Sequence, residues 1–428
     1  MISQAALTSE TQRNFRHLYA DVGWFGVLSG STLAFLSVYA ARLGASPLQL
    51  GLLSAGPAAM NLVFSLPAGQ WLRHRPFIHT AFTSSIWSRS AYLLLIPLPW
   101  LLSPAGETWA LITLVIVMSV PGTLLAIAFN ATFADVVPPE WRGHVVGRRN
   151  ALLAVTITAT SLICGVILET LAFPVDFQIV FSLGCIGAAM SSFHIGRLTG
   201  QDAPSPRRVQ RPLDDVARPG LIRAMDAVRP AAGLRFLTRG GRAMLRLDLL
   251  RGPYGPILMA YLFFHTVQYF SIPIFPLAWV QTLNLSDTDI SLGNALFYSA
   301  MLAASLPLGR LSARAGHRSV LLYGSLLYCL YPLLMGLAHS TPAFLLGSLI
   351  GGAVWAILNG GLFNYLMERI PKGDLPSHLA LYNLVLNVGV LLGSMGGPLV
   401  GEAVGLREAL LIGAGLRLMS ALVFAVVA

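Results

Sequence analysis

The chain has 428 residues, of which 55% are hydrophobic and only 11% charged, with a mean hydropathy of +0.69. That balance excludes a water-soluble domain and places the chain in a bilayer. The net charge of +10 is a topology signal rather than the mark of a nucleic-acid partner, because the basic residues are segregated along the chain.

In chain order, a polar leader ends near residue 17, and the apolar run after it is longer than a signal-peptide core and lacks a cleavage site. It is expected to remain as the first span. Apolar runs of about 20 residues predict twelve spans near 18–41, 48–71, 77–100, 108–136, 147–170, 176–197, 255–281, 289–311, 318–339, 342–368, 377–402 and 405–427. Of the 28 Lys and Arg residues, all but Arg42, Arg89, Arg407 and Arg417 fall on one side of this arrangement. Cytoplasmic flanks collect such residues, so both termini are expected in the cytoplasm of a bacterium-like cell, with the chain in its inner membrane. The opposite loops carry Glu107, Glu169, Asp176, Asp287, Asp289, Glu402 and Glu408. Cys164, Cys185 and Cys329 lie inside spans without metal-type spacing, and read as small apolar filler.

Residues 198–254 are the one long polar stretch, which divides an N-terminal six-span unit (1–197) from a C-terminal one (255–428). Its later part sets Arg235, Arg239, Arg242 and Arg246 against Leu234, Leu237, Met244, Leu245 and Leu249 at helical spacing. That pattern suits either a basic amphipathic helix on anionic headgroups, kinked at Gly240-Gly241, or a solvated linker.

The two units repeat one another. Gly69-Gln-Trp-Leu-Arg73-His-Arg75-Pro76 and Gly309-Arg310-Leu-Ser-Ala-Arg314-Ala-Gly316-His-Arg318 each put a glycine and a tight basic turn between two apolar runs. Phe133-Ala-Asp135-Val-Val-Pro138 corresponds to Tyr365-Leu-Met-Glu368-Arg-Ile-Pro371, and the offset that takes Asp135 to Glu368 also takes Asn150 to Asn383 and Glu169 to Glu402. Duplicated half-proteins of membrane spans are the usual build of secondary transporters.

On these residues the chain resembles the major facilitator superfamily over essentially its whole length. Gly309 to Arg318 is similar to the superfamily's loop motif, Gly69 to Arg75 is a weaker copy, and Ala134 to Gly143, with Asp135 and Arg142, looks like the loop after the fourth helix. The motif's aspartate is Arg73 in one half and Ala313 in the other, so a charge relay through it is not expected. The resemblance implies an all-α fold of twelve transmembrane helices in two pseudo-symmetric six-helix bundles, rocking about a central cavity lined by the first, fourth, seventh and tenth helices. Marks of drug/proton antiporters are missing: no arginine lies in the fourth span, and the fifth has Gly165 without a glycine-proline-glycine run. Instead, Gly393-Ser-Met-Gly396-Gly397-Pro398-Leu-Val-Gly401 lies in the eleventh, where glycines permit close helix approach and a kink; tight packing is expected ahead of a substrate role.

No enzyme is expected. The single lysine, Lys372, is not in a phosphate-cradling spacing, and there is neither an HExxH pair nor a GxSxG elbow. No cofactor or metal is implied; the partners are a small-molecule substrate, the bilayer and a coupling proton, for a chain expected to act as a monomer. Ionisable groups at membrane depth are costly and are the first functional candidates. Arg89 lies about 18 Å into the third span at 1.5 Å per residue; it suits an anionic substrate group or a bond to helix carbonyls. Arg417 in the last span is a weaker candidate. His265 shares a face of the seventh span with Tyr261 and Gln268, and histidine titrates near physiological pH, which nominates it for proton coupling. Asp21 stands about one turn inside the first span. Asn130, Asn359, Asn364 and Asn387 suit solute contacts or interhelical bonds, and Trp24, Phe25, Tyr269 and Trp355 suit apolar walls. At the basic turns, Asp135 is expected to pair with Arg73, Arg75 or Arg142, and Glu368 with Arg314 or Arg318. The function expected is alternating-access transport of a small organic solute, with export of a neutral or amphipathic compound first and uptake of a polar or anionic metabolite second. A non-transporting receptor or assembly protein on the same scaffold is the alternative of another class.

Overall fold

A computed structural model describes residues 8–72, 75–200, 246–371 and 375–427. Arg73, Lys372 and most of the stretch between the two units, 201–245, lie outside the described residues, and with them most of the expected amphipathic helix. The described chain contains twelve long helical stretches. In the first half they are α1 (Ser9–Arg42), α2 (Pro47–Leu72), α3 (Phe77–Leu95), α4 (Pro104–Val136), α5 (Arg142–Thr170) and α6 (Val175–Ile195). In the second half they are α7 (Tyr254–Thr282), α8 (Asp287–Ser305, bent by 51° into Leu308–Ala315), α9 (His317–Leu337), α10 (Thr341–Glu368), α11 (Leu375–Val404) and α12 (Leu406–Val427).

Ten of these, and the bent α8 as an eleventh, are long and apolar enough to cross a membrane. The twelfth, α3, is more polar, and the polarity is turned inward: Thr80, Ser84, Ser85, Ser88 and Arg89 are all buried, while Trp87, Leu93 and Leu94 are exposed. A helix that faces lipid on one side can hold hydroxyls and a guanidinium on the other, provided neighbouring helices satisfy them. The first helix starts earlier than its apolar run, at Ser9. The Thr8 side chain accepts the Thr11 backbone N–H and caps it, so polar residues enter the helix ahead of the apolar ones.

Packing repeats between the halves. α1 packs on α5 and α6, as α7 does on α11 and α12; α4 packs on α2 and α3, as α10 does on α8 and α9; α3 meets α6 as α9 meets α12. Both α1 and α7 also contain a π-helical turn, at Ser29–Leu33 and Ala278–Thr282. The chain is thus all-helical among its described residues and forms two six-helix bundles of the same internal order.

The bundles meet chiefly through two symmetry-related pairs, α2 with α11 and α5 with α8. The close approaches lie at the acidic end. Arg42 Nη2 donates to Asp287 Oδ1 at 3.1 Å and to the Leu285 carbonyl at 2.8 Å, Thr288 Oγ1 donates to the Gly165 carbonyl at 3.2 Å, and Ser291 donates to the Ser161 carbonyl. On the other pair, a Cβ added to Gly51 would lie 2.5 Å from the Ser394 carbonyl oxygen. At the basic end, Val146 of α5 and Leu306 and Leu311 of α8 are exposed.

Candidate functional site

The charges at membrane depth are taken up inside the bundles. Asp21 is only 3% exposed. Its Oδ2 accepts from Arg149 Nη2 of α5 at 3.0 Å, and its Oδ1 accepts from the Ser191 hydroxyl of α6 at 2.5 Å. The Arg149 guanidinium also lies 4.8 Å from the Phe129 ring and 5.6 Å from that of Phe133, so α4 supplies aromatic faces to a cation that α1 neutralises. Arg89 donates through Nη1 to Ser192 Oγ at 3.0 Å and to the Ala188 carbonyl at 3.3 Å. It joins α3 to α6, and those donors are engaged before any solute arrives.

The second bundle repeats the device with its direction reversed. Arg417 of α12 donates to the Tyr328 carbonyl of α9 at 3.3 Å and to the Gln268 carbonyl of α7 at 3.2 Å, with its guanidinium 3.9 Å from the Tyr328 ring centre. The polar stripe of α7 faces neighbouring helices. Tyr261 donates to the Leu362 carbonyl of α10 at 2.7 Å. His265, 5% exposed, has Nδ1 3.1 Å from Gln268 Oε1 and Nε2 3.2 Å from the Tyr382 hydroxyl. Both ring nitrogens are satisfied when Nδ1 carries the proton, Gln268 accepts it, and the tyrosine hydroxyl donates to Nε2.

The asparagines divide. Asn387 is buried and donates to the Asn383 carbonyl at 2.8 Å, one turn back on its own helix, and Asn364 is half-buried. Asn130 of α4, Asn150 of α5, Asn359 of α10 and Asn383 of α11 are exposed. Each lies six to nine residues from the basic end of its helix, which is about 9–14 Å at 1.5 Å per residue. Uncharged amides exposed at that depth are satisfied by water or solute and not by lipid tails. Trp24 and Trp355 are half-buried, and the Trp355 ring lies 5.5 Å from that of Tyr328.

At the basic turns, Arg142 does not serve Asp135. It donates to the Ala134 carbonyl at 2.7 Å and the Val137 carbonyl at 3.1 Å, closing the end of α4. Glu368 faces His317 at 3.5 Å in place of Arg314 or Arg318. Gly316, at φ +78°, makes the turn into α9, a conformation that favours glycine. Gly69 and Gly309 have open space where a side chain would stand, Arg75 stacks 4.9 Å over Trp71, and Arg310, Arg314 and Arg318 are exposed.

Sequence reasoning missed Arg149, counted there only among the basic residues of one side, and the partners Ser191 and Tyr382. It also placed Glu107 and Asp176 in loops, whereas both are buried: Tyr39 donates to Glu107, and Asp176 Oδ1 accepts the Phe177 N–H at 2.7 Å. The duplicated pair Asn150 and Asn383 was the available signal for the exposed amides.

The family model of the Major Facilitator Superfamily matches residues 257–428, the half with the fuller loop motif. No curated protein sequence matches the chain. Among solved structures, the nucleoside transporter NupG superposes with TM-score 0.67 at 11% identity, over 97% of this chain and 98% of that one. A D-xylose-proton symporter gives 0.71 at 15% identity over 97% of each chain, and the human organic anion transporter MFSD10 (TETRAN) gives 0.64 at 13% over 97% and 100%. The second half of the chain thus matches the Major Facilitator Superfamily model, and the whole chain shares the fold of these transporters over nearly its full length.

Proposed function

We propose that the chain is a secondary transporter that moves a small, uncharged organic solute by alternating access, coupled to protons at Asp21. One contrast carries the reading: the charged groups Asp21, Arg89, Arg149 and Arg417 are engaged within the bundles, while the uncharged amides of Asn130, Asn150, Asn359 and Asn383 are left exposed at a common depth. A charged solute would need an opposite charge free to meet it. Asparagine amides offer donors and acceptors to hydroxyls, amides or a heterocycle. The similar structures are named for nucleosides and D-xylose as well as for organic anions, and the internal pairing of Arg89 favours the uncharged kind. Contacts grouped at the acidic end describe a form closed there and open at the basic end, one of the two states that alternating access requires. Proton coupling moves in this reading from His265, sealed between α7 and α11, to Asp21, whose protonation would release Arg149.

Counterflow in proteoliposomes tests it. Preloaded uridine or D-xylose is expected to draw in its labelled counterpart, with dicarboxylates and phosphates inert; absence of exchange with any solute supports the receptor alternative, and exchange of anions alone removes the neutral-solute reading. Gradients of either polarity then distinguish export from uptake.

The orientation proposed puts both termini and the basic turns in the cytoplasm of a bacterium-like cell. In intact cells, an impermeant thiol reagent should label a cysteine substituted at Ser286 and spare one at Ser205. The opposite pattern inverts the topology.

A further inference from the structure

We propose that His17 and His194 form a proton relay between Asp21 and the water at the basic end, an inference that rests on the proton-coupled reading of Asp21. Three polar rungs join α1 to α6 and its C-terminal turn in order of depth. Outermost, Asn14 Nδ2 donates to the Thr199 carbonyl at 2.6 Å, and the Thr199 N–H donates back to Asn14 Oδ1 at 3.0 Å. In the middle, His17 Nδ1 and His194 Nδ1 are 3.0 Å apart. Innermost, Ser191 donates to Asp21. Asp21 is buried, whereas both imidazoles are half-exposed. The carboxyl therefore has no direct route to bulk water along this contact, and the imidazoles do.

Two Nδ1 atoms at hydrogen-bond distance require one N–H and one lone pair, so the neutral pair consists of opposite tautomers. That arrangement conducts. A proton leaving the Asp21 carboxyl, through a water, is taken by the free nitrogen of one imidazole. The imidazolium so formed passes its Nδ1 proton across the 3.0 Å contact, and the partner releases its Nε2 proton to water. One proton enters and one leaves, and both rings end neutral with their tautomers exchanged. The charged groups around the path are Arg13 on α1 and Arg197 after α6 beside the pair, Arg148 of α5 over Tyr19, and Arg149 and Arg89 at Asp21. Arginine stays protonated in proteins and carries no proton across; imidazole titrates near neutral pH.

Time-resolved infrared spectroscopy after a pH jump tests the relay without a known solute. The carboxyl C=O band that disappears in Asp21→Asn reports protonation of Asp21. In His17→Gln and in His194→Gln, its rate of appearance is expected to fall about tenfold or more with the same final amplitude, and imidazole added to the buffer is expected to restore the rate. An unchanged rate in both variants, or a slowed rate that imidazole does not restore, overturns the relay and leaves the coupling reading intact. If the parent shows no Asp21 carboxyl band at any pH, the coupling reading fails and the relay with it.

Discussion

Asp21→Asn is expected to abolish accumulation driven by a pH gradient while leaving solute exchange in place. A gradient of one pH unit is worth about 1.4 kcal/mol per proton, enough for roughly tenfold accumulation at one proton per solute. The variant should therefore drop from about tenfold accumulation to none under that gradient. Asparagine keeps one acceptor oxygen, enough for Ser191 or Arg149 but not for both in place, and has no proton to gain or lose. It also leaves Arg149 without its counter-charge, and breaking a buried pair costs up to about 3–5 kcal/mol. The Phe129 and Phe133 faces return part of that, at about 0.5–2 kcal/mol for a cation over an aromatic ring. Adding Arg149→Gln removes the stranded cation, so the double variant should regain stability and still lack proton drive. His265→Gln is the contrasting case: glutamine can keep bonds to Gln268 and Tyr382, and accumulation should persist. Loss of drive in His265→Gln with retention in Asp21→Asn would return the proton to α7 and remove Asp21 from the mechanism.

The fold was legible because membrane burial is written as long apolar runs and the duplication doubles each signal. Span order, the basic turns and the two-unit plan needed only hydropathy, arginine placement and matched offsets such as Asp135 with Glu368. Partnerships were not legible. Asp21 and Arg149 are brought together by the packing of α1 on α5, and no local pattern announces that an arginine near the start of a span points inward at a carboxylate. His265 shows the converse. A histidine, a tyrosine and a glutamine on one helix face read as water-facing by polarity alone, yet Tyr382 and the Leu362 carbonyl satisfy them from adjacent helices. Glu107 and Asp176 were assigned to solvent for being near span ends, and helix α4 beginning at Pro104 carries Glu107 inside. In each case the missing information is which neighbour supplies the second half of a hydrogen bond.

The glycines of α11 give the second large effect, and here sequence left tight packing and a substrate role as rival explanations. Gly389, Gly393 and Gly397 are spaced one turn apart and lie against α7. An added Cβ would stand 2.7 Å from His265 Cβ, 2.1 Å from the Thr266 carbonyl oxygen and 1.8 Å from the Phe270 carbonyl oxygen, respectively. Gly396, in the same run, has nothing within 4 Å. In a helix interior, Gly to Ala ordinarily gains up to about 1 kcal/mol. Against that stands overpacking at about 1–3 kcal/mol or more, and at 393 and 397 the obstructing atoms are backbone, which no side-chain rotation relieves. Clash wins at those two positions and propensity at 396. Gly397→Ala is accordingly expected to lower the thermal unfolding temperature in detergent, and Gly393→Ala with Gly397→Ala to yield little folded protein, while Gly396→Ala matches or exceeds the parent. Because Ser394 of the same helix meets Gly51 of α2 across the bundle interface, separating α7 from α11 also displaces one of the two chief contacts between the bundles. Were the run kept instead for a kink at Pro398, Gly396→Ala would be as damaging as Gly397→Ala, and the unfolding temperatures of the two single variants decide between these accounts.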